Sequence, residues 1–552
     1  SLAALALPAL FVTQWLLALF KNYRIAKKSG LPILVTPFNP GSFVFLVASR
    51  FLRPLLEKVL PFDGIKASFP AWSYTGRKDS LFQRYANIFV LVTPGRNQVW
   101  CADPAINQIV LTRRKDFLQS KTVATLFRVL GDNVFTSNHE AWARQRRLVA
   151  PKLNERISEV VWKDSTSLAD QMAEYMLRQP DSSSRNAISS LRSIAINILG
   201  HVGYGQSKPF TASELPSDPK AKMSYADAIA LLSQFLLFSA VFPSWFLRLP
   251  FMPPIIQTVG TAKAQAPSLQ EDMLEAERKR AASGVEERDN MMSMLARFSG
   301  PDQPKEGSET AQLLNGDEIS GNLFIFTAAG FDTTANTMSY AIAFMAAYPQ
   351  WQAWVQEEID LVWKGLEGDA RDKPDYAAVF PQLPRMMAVL YETLRIFPAT
   401  MAISRITDRS QSITSGDKTY YLEGPHEVHL ASYRLHYDEA TWGSDYLEFR
   451  PTRWFESGSA LGDSHLVTPA KGTYTPWGGG PRVCPGMRMA QVEFVSVMTT
   501  LLRKCRVEPV VQSGETLEDA RKRLLQTTED SSQKISMGMN NPEEVHLKWH
   551  QR

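Results

Sequence analysis

Cysteine is scarce in this chain: three residues in 552, Cys101, Cys484 and Cys505. Their wide separation excludes a disulfide framework and a four-cysteine zinc site, and it fits a reducing compartment. Charge of one sign is also lacking, since the formal net charge is +4 and the basic residues are scattered. That distribution argues against nucleic-acid binding. No internal repeat and no long low-complexity linker divides the sequence, so one large globular body is expected. With 44% hydrophobic and 21% charged residues, the bulk is not an integral membrane protein.

The one long apolar run is N-terminal, from Leu2 to Phe20, broken only by Thr13 and Gln14 and followed by Lys21, Arg24, Lys27 and Lys28. As a helix it spans about 28 Å, enough for a bilayer core, and the basic cluster behind it marks the cytosolic side. A cleaved signal peptide is the rival, but its charges should precede the apolar run. Position 1 is Ser rather than Met, which leaves room for the run to begin upstream. The expected organisation is an anchor over 1–20, a basic and proline-rich linker over 21–40 and one catalytic body over 41–552. Farther on, the Leu-, Phe- and Trp-rich stretch from Ser224 to Val259 contains too many prolines for a membrane span and reads as an interfacial or channel segment, or as core. Polar residues from Gly284 to Asn315 read as a surface linker.

Chemistry concentrates at Trp477-Gly478-Gly479-Gly480-Pro481-Arg482-Val483-Cys484-Pro485-Gly486. Three consecutive glycines make a loop whose backbone approaches something closely, a cofactor being the first candidate. Cys484 precedes the helix-prone Met487–Phe494, and a thiolate before a helix start is favoured by the helix dipole. It suits an axial iron ligand, against the alternative of an inert buried thiol. A long helix is expected from Asn315 to Tyr348, carrying Ala329-Gly330-Phe331-Asp332-Thr333-Thr334. Mid-helix glycine costs about 1 kcal/mol against alanine, so Gly330 requires a flat cofactor nearby or close helix packing. Thr333 is placed to bond back to the Ala329 carbonyl, and Asp332 beside it to relay protons. Glu392 and Arg395 are three apart on another helix.

Together these segments resemble the cytochrome P-450 superfamily, whose haem signature Phe-x-x-Gly-x-Arg-x-Cys-x-Gly is matched by Gly480, Arg482, Cys484 and Gly486, with Trp477 in place of Phe. The resemblance runs from about Pro32 to the C-terminus and implies a mainly α fold with smaller β-sheets, haem b lying between the long helix and the cysteine loop. It implies that Cys484 ligates the iron beside Trp477, Gly478, Ala329 and Gly330, and that Trp142, Arg146, Arg405 and Arg482 serve the propionates. Trp142 and Arg146 share a helix face, whose bland reading is a cationic helix with a core Trp. Arg144, Arg147 and Lys152 beside them are expected to form a basic surface for a redox partner. His436 is expected to be structural. Glu392, Arg395 and Arg453 would form a structural lock, and Thr333 with Asp332 would deliver protons.

Counting back from Thr333 at helical spacing gives Ala329, Phe326, Ile325 and Asn322 as a pocket wall, joined by Phe117, Leu126, Phe127 and Phe135, with Met401 and Ala402 on a turn facing substrate. The family reading implies a monooxygenase that hydroxylates or epoxidises a lipophilic terpenoid, polyketide or alkaloid intermediate with O2. Electrons would come from NADPH through a separate reductase, or from cytochrome b5, at the endoplasmic reticulum membrane with the catalytic domain cytosolic. The loop and its Gln-Val-Glu-Phe sequel resemble filamentous-fungal microsomal members. Oxidative phenol or indole coupling, a reductase-independent isomerase and a non-catalytic haem sensor are the alternatives.

Overall fold

The computed structural model describes residues 2–42, 62–68, 81–206, 209–212, 223–283, 292–293, 314–456 and 465–552, with single positions between 44 and 59; the side chains of 1–8 and 281–282 lie outside this set. The expected linker from Gly284 to Asn315 falls mostly outside it. The chain divides into two compact units, each assembled from three stretches: Ser1–Val123, Thr400–Glu448 and Pro469–Cys484, and Ala124–Ala399, Phe449–Thr468 and Pro485–Arg552.

The first unit is built on a mixed sheet. Its strands are β1 (Ile33–Val35), β2 (Ile88–Val92), β3 (Gln98–Cys101), β4 (Leu118–Gln119), β5 (Ile403–Ile406) and, beyond a separate hairpin of β6 (Gln411–Ser415) and β7 (Lys418–Leu422), β8 (Glu427–Leu430). The order is β1-β2-β3-β8-β5-β4, with β1–β2 and β3–β8 parallel and the other pairs antiparallel. The β-branched run of β2 is buried along its whole length, and a Pro94-Gly95 turn returns the chain into β3. Val90, Val99, Val428 and Leu430 form the core with Ile106, Val110 and Leu111 from α2, the helix Pro104–Thr112. Asp103 starts that helix by accepting the Ile106 N–H at 2.9 Å.

Ahead of the sheet, α1 runs from Leu2 to Lys27, so the expected linker is helical at its start. Asn22 donates to the carbonyls of Thr93 and Gly95 at 2.8 and 2.7 Å, and Asn97 donates to the Asn22 carbonyl at 2.9 Å. With Ala26 buried and Ile33–Val35 paired to β2, these residues belong to the first unit. No helix among the described residues is long and apolar enough to cross a membrane.

The second unit is mainly helical. Its principal helices are α3 (His139–Val149), α4 (Glu155–Leu177), α5 (Ala187–Tyr204), α6 (Tyr225–Gln234), α7 (Pro254–Ala282), α8 (Gly316–Ala347), α9 (Pro384–Ile396) and α10 (Met487–Lys504), with a strand pair β9 (Cys505–Pro509) and β10 (Leu547–Gln551). The 32-residue α8 opens on a capping box, in which Asn315 accepts the Glu318 N–H and Glu318 accepts the Asn315 N–H, and Pro349 follows its end. It is apolar almost all round and buried accordingly. The stretch from Ser224 to Val259 divides in two: α6 is core, whereas Phe238, Trp245 and Phe251 are exposed.

Glu392, on α9, fixes the segment that follows residue 448. Arg395 donates to both of its oxygens at 2.9 Å, Arg453 Nε at 2.9 Å, the Arg450 N–H at 2.9 Å and Trp454 Nε1 at 3.1 Å. Glu392 and Arg395 are fully buried. Burial alone would raise the Glu392 pKa, but the charge and hydrogen bonds of Arg395, then the charge of Arg453, hold it below the ordinary value of 4.5. A carboxylate with a depressed folded pKa contributes stability that is present above its unfolded pKa and lost as pH falls through the folded one. Glu392→Gln removes the carboxylate charge that both buried guanidinium groups share and is expected to cost about 3–5 kcal/mol at neutral pH. Guanidinium-chloride midpoints check this, and the wild-type advantage should shrink below the Glu392 folded pKa.

Candidate active site

The predicted site residues divide between the two units. In the first, Cys484 is the single exposed thiol: burial pushes Cys101 up to about 12 and Cys505, in the second unit, up to about 11, and none of the three forms a disulfide. Two of the three cysteines are thereby kept as neutral thiols, and Cys484 alone is open to a metal. Its N–H donates to the Trp477 carbonyl at 2.9 Å, closing the loop on itself. Gly478 and Gly480 have φ of +73° and +62°. A β-carbon on Gly480 would stand 2.3 Å from the Leu111 carbonyl oxygen, and one on Gly479 would stand 3.1 Å from the Leu111 side chain. The close approach read from the triple glycine is therefore, at Gly479 and Gly480, an approach to the end of α2.

His436 is fully buried, and its Nε2 accepts the Thr475 N–H at 3.1 Å, so it fixes the chain two residues before Trp477. Arg405, on β5, is buried; its Nη1 donates to the Gln119 side-chain oxygen at 3.2 Å and the Ser404 carbonyl at 2.9 Å. Burial without an acidic partner lowers its pKa to about 10. A buried guanidinium met only by neutral acceptors is suited to a carboxylate. Arg482 is half-buried on the single turn Gly480–Arg482. Phe117 and Met401 are fully buried, Phe117 within the sheet core under the Arg113 guanidinium, and so expose no surface to a pocket; Ala402 is half-buried.

In the second unit the open stretch of α8 is centred on Ala329, exposed in a helix otherwise nearly all buried. Thr333 lies one turn on, and its hydroxyl donates to the Ala329 carbonyl at 2.8 Å. Asp332 is turned aside: Oδ1 accepts from Arg192 Nη2 at 2.9 Å and Oδ2 from Ser536 Oγ at 2.6 Å. Gly330 is accounted for by helix packing, because a β-carbon there would meet the Leu199 side chain on α5 at 3.0 Å. Phe326 faces the gap left by Gly203 on the same helix.

Asn322 is buried, its amide nitrogen donating to Gln145 Oε1 and to the Glu318 carbonyl and its oxygen accepting the Val134 N–H at 3.0 Å. It ties the preceding loop to α8 instead of presenting a free amide to a pocket. Ile325 is buried as well. Phe127, which ends the short helix Lys121–Phe127, meets Phe135 of that loop edge to face at 5.0 Å, with Leu126 half-buried beside Phe127 and Phe135 exposed. On α3, Trp142 is buried and Arg146 half-buried one turn away. Arg144 pairs with buried Glu318, which takes it out of the expected basic surface, while Arg147 and Lys152 stay exposed. Gly486 is the N-cap of α10, and Cys484 lies three residues before that helix begins.

Arg192, Gln145 and Ser536 escaped the sequence reading. Arg192 had a signal, as the single arginine of an apolar helix, and so had Gln145, on the buried face shared by Trp142 and Val149. Ser536 had none. The exposed thiol, the buried guanidinium without a carboxylate and the exposed Ala329 each fit haem b, and no disagreement with that group arises from the residues present.

The sequence pattern of the family described as Cytochrome P-450 matches residues 62–534. A phomenoic acid biosynthesis cluster cytochrome P-450 monooxygenase of Leptosphaeria maculans is 30% identical over 538 residues, 90% of each chain. A cytochrome P-450 monooxygenase of Arthrobotrys oligospora is 28% identical over 97% of this chain and 96% of its own. Among solved structures, the cytochrome P-450 CYP102L1 aligns with a TM-score of 0.63 at 20% identity, over 86% of this chain and 93% of its own. Retinoic acid-bound cyanobacterial CYP120A1 aligns at 0.66 and 15%, over 87% and 95%. With the family pattern spanning most of its length, this chain belongs to the cytochrome P-450 family of haem-thiolate monooxygenases.

Proposed function

We propose that the enzyme inserts one oxygen atom from O2 into a lipophilic specialised-metabolite intermediate, by hydroxylation or epoxidation, with electrons from NADPH delivered by a separate reductase. The observation that carries this reading is the Thr333 hydroxyl, held on the Ala329 carbonyl where the long helix opens in mid-length, with the Asp332 carboxylate next to it in the chain and turned toward Arg192 and Ser536. Bound haem supplies dioxygen activation through a thiolate-ligated iron. Cys484 is the residue to hold that iron, and Arg405, Arg482, Arg146 and Trp142 are those to hold its propionates.

The rest falls to this chain's own groups. Thr333 Oγ, held on the Ala329 carbonyl, presents its lone pairs to the open side, where it can accept and pass a proton. Asp332 stands next to it with a link toward solvent through Arg192, which is 29% exposed. Phe127, Phe135, Leu126 and Phe326 offer apolar surface and few polar groups, which suits a lipophilic substrate bound by shape. Membership of the Leptosphaeria maculans relative in a biosynthesis cluster supports a specialised-metabolite setting.

The first helix serves as the membrane anchor in this reading. Residues 9–20 alone reach about 18 Å, short of a bilayer core, and the apolar residues 2–8 extend the run. Leu10, Phe11, Leu16, Leu17 and Phe20 are more than half exposed, a surface that lipid would cover. The catalytic units then lie on the cytosolic side of the endoplasmic reticulum. Full-length protein is expected to stay with membranes through alkaline carbonate extraction while a variant lacking residues 1–20 is released; equal release of both ends the anchor assignment.

Expression in a reductase-containing host fed with candidate precursors tests the reaction. Wild type should yield a product heavier by one oxygen that is absent with Cys484→Ala, whose reduced carbon-monoxide spectrum should lack the thiolate signature. Thr333→Ala should keep that spectrum and lose product by about a hundredfold, the low end of what a positioned proton donor contributes. A product of doubled mass less two hydrogens would establish oxidative coupling instead.

A further inference from the structure

Asp332 is held by more than its salt bridge. Arg192 Nη2 donates to Oδ1 at 2.9 Å and Ser536 Oγ to Oδ2 at 2.6 Å, and the Asn336 side chain closes a ring. Asn336 Nδ2 donates to Ser536 Oγ at 2.9 Å and lies 3.4 Å from Asp332 Oδ2, while its Oδ1 accepts from Arg192 Nη1 at 3.1 Å. Arginine only donates, so the ring fixes the amide orientation of Asn336, and that in turn directs the single Ser536 proton onto Asp332. Ser536 is 1% exposed and stands 204 residues downstream of the carboxylate.

The residue comes from a hairpin, Ser531–Gln533 paired with Met537–Met539, that is stitched along one face of α8. Asp332, Asn336 and Tyr340 are spaced one turn apart on that face. Tyr340 Oη and Ser531 Oγ are hydrogen-bonded at 2.7 Å, and the Met537 N–H donates to the Ala399 carbonyl at 2.9 Å. Gly538 completes the fit: a β-carbon there would press on Asn336 Nδ2 at 3.2 Å. A hairpin anchored at both ends of this polar face presents the Ser536 hydroxyl at a fixed place.

We infer that Ser536 is a positioning residue for Asp332: with Asn336 it latches one carboxylate oxygen, so that the C-terminal hairpin sets the orientation from which this acid relays protons. The inference rests on the relay role proposed above. A relay needs one carboxylate oxygen to leave its partner and return, and the ring defines both the parked position and the return. Without the serine hydroxyl, Oδ2 keeps only the long contact to Asn336, and the carboxylate is held chiefly through Oδ1 by Arg192.

Two measurements on the full-length haem-loaded enzyme test this. The first is independent of turnover, a stability cycle of Ser536→Ala, Asp332→Asn and the double variant by denaturant midpoint. The double variant should unfold no earlier than the more destabilised of the two single variants, because both remove the same hydrogen bond; additive shifts overturn the latch. The second is the partition of consumed NADPH between oxygenated product and hydrogen peroxide, with its solvent deuterium isotope effect. Ser536→Ala should lower the product share at least twofold and raise the isotope effect, in the direction of Asp332→Asn, with the thiolate carbon-monoxide spectrum unchanged. A Ser536→Ala enzyme that partitions like wild type while Asp332→Asn does not overturns the positioning role. An Asp332→Asn enzyme that partitions like wild type overturns the relay reading and the Ser536 role with it.

Discussion

A buried carboxylate with five N–H donors around it governs how the second unit is closed. Glu392 has no exposed surface, and desolvating it would be costly were its oxygens not met by two guanidinium groups, a backbone amide and an indole. Because three of those partners, Arg450, Arg453 and Trp454, lie in one short segment, the carboxylate decides where residues 449–455 sit. The aromatic packing of the same segment follows: Phe449 stacks on Phe344 of α8 at 4.3 Å and Trp454 meets Tyr391 of α9 at 5.2 Å. A charge cluster thus fixes register, and apolar burial supplies the bulk of the stabilisation around it.

The long helix shows how one element carries two unlike tasks. Most of its circumference is apolar and packs, with Gly330 and Gly203 letting α5 and α8 approach closely. Its polar residues are confined to positions where a partner exists: Glu318 with Arg144 and Gln145, Asn322 with Gln145 and Val134, Asp332 with Arg192 and Ser536, Tyr340 with Ser531. Each satisfied pair removes the penalty of a buried polar group and ties a different segment to the helix. Thr327, Thr333, Thr337 and Ser339 instead bond back to the carbonyl four residues before them, and of these four Thr333 alone is not buried, so its outer side is open, as a reacting group requires.

What was legible in the sequence were features whose cause is local. A capping box, a terminating proline and an apolar surround define α8 within its own residues, and the spacing of Glu392 and Arg395 is a property of one helix turn. The cysteine loop was legible for the same reason, since φ near +60° at Gly480 is a local demand for glycine. The identity of what the loop approaches was not, because Leu111 is hundreds of residues away and nothing in Gly479-Gly480 names it. Asn322 and Phe117 were placed in a pocket by periodicity, which predicts a helix face or an apolar position but not whether a neighbour has already claimed it. Arg144 failed likewise, its partner Glu318 being assigned to the cap of another helix.

The thiol chemistry follows from the contrast among the three cysteines rather than from any one of them. Cys101 lies in a central strand and Cys505 in β9; burial raises both, and a thiol held neutral at physiological pH neither binds a metal readily nor oxidises. Cys484 is exposed, and the backbone around it is fixed by contacts that do not involve its sulfur: its own N–H on Trp477, Gly480 against Leu111, and His436 holding Thr475. The loop is therefore shaped by contacts within the chain, and a loop held in this way has less to order on binding. By this argument the triple glycine and His436 hold the shape of the loop, and that shape, together with its exposure, singles out Cys484.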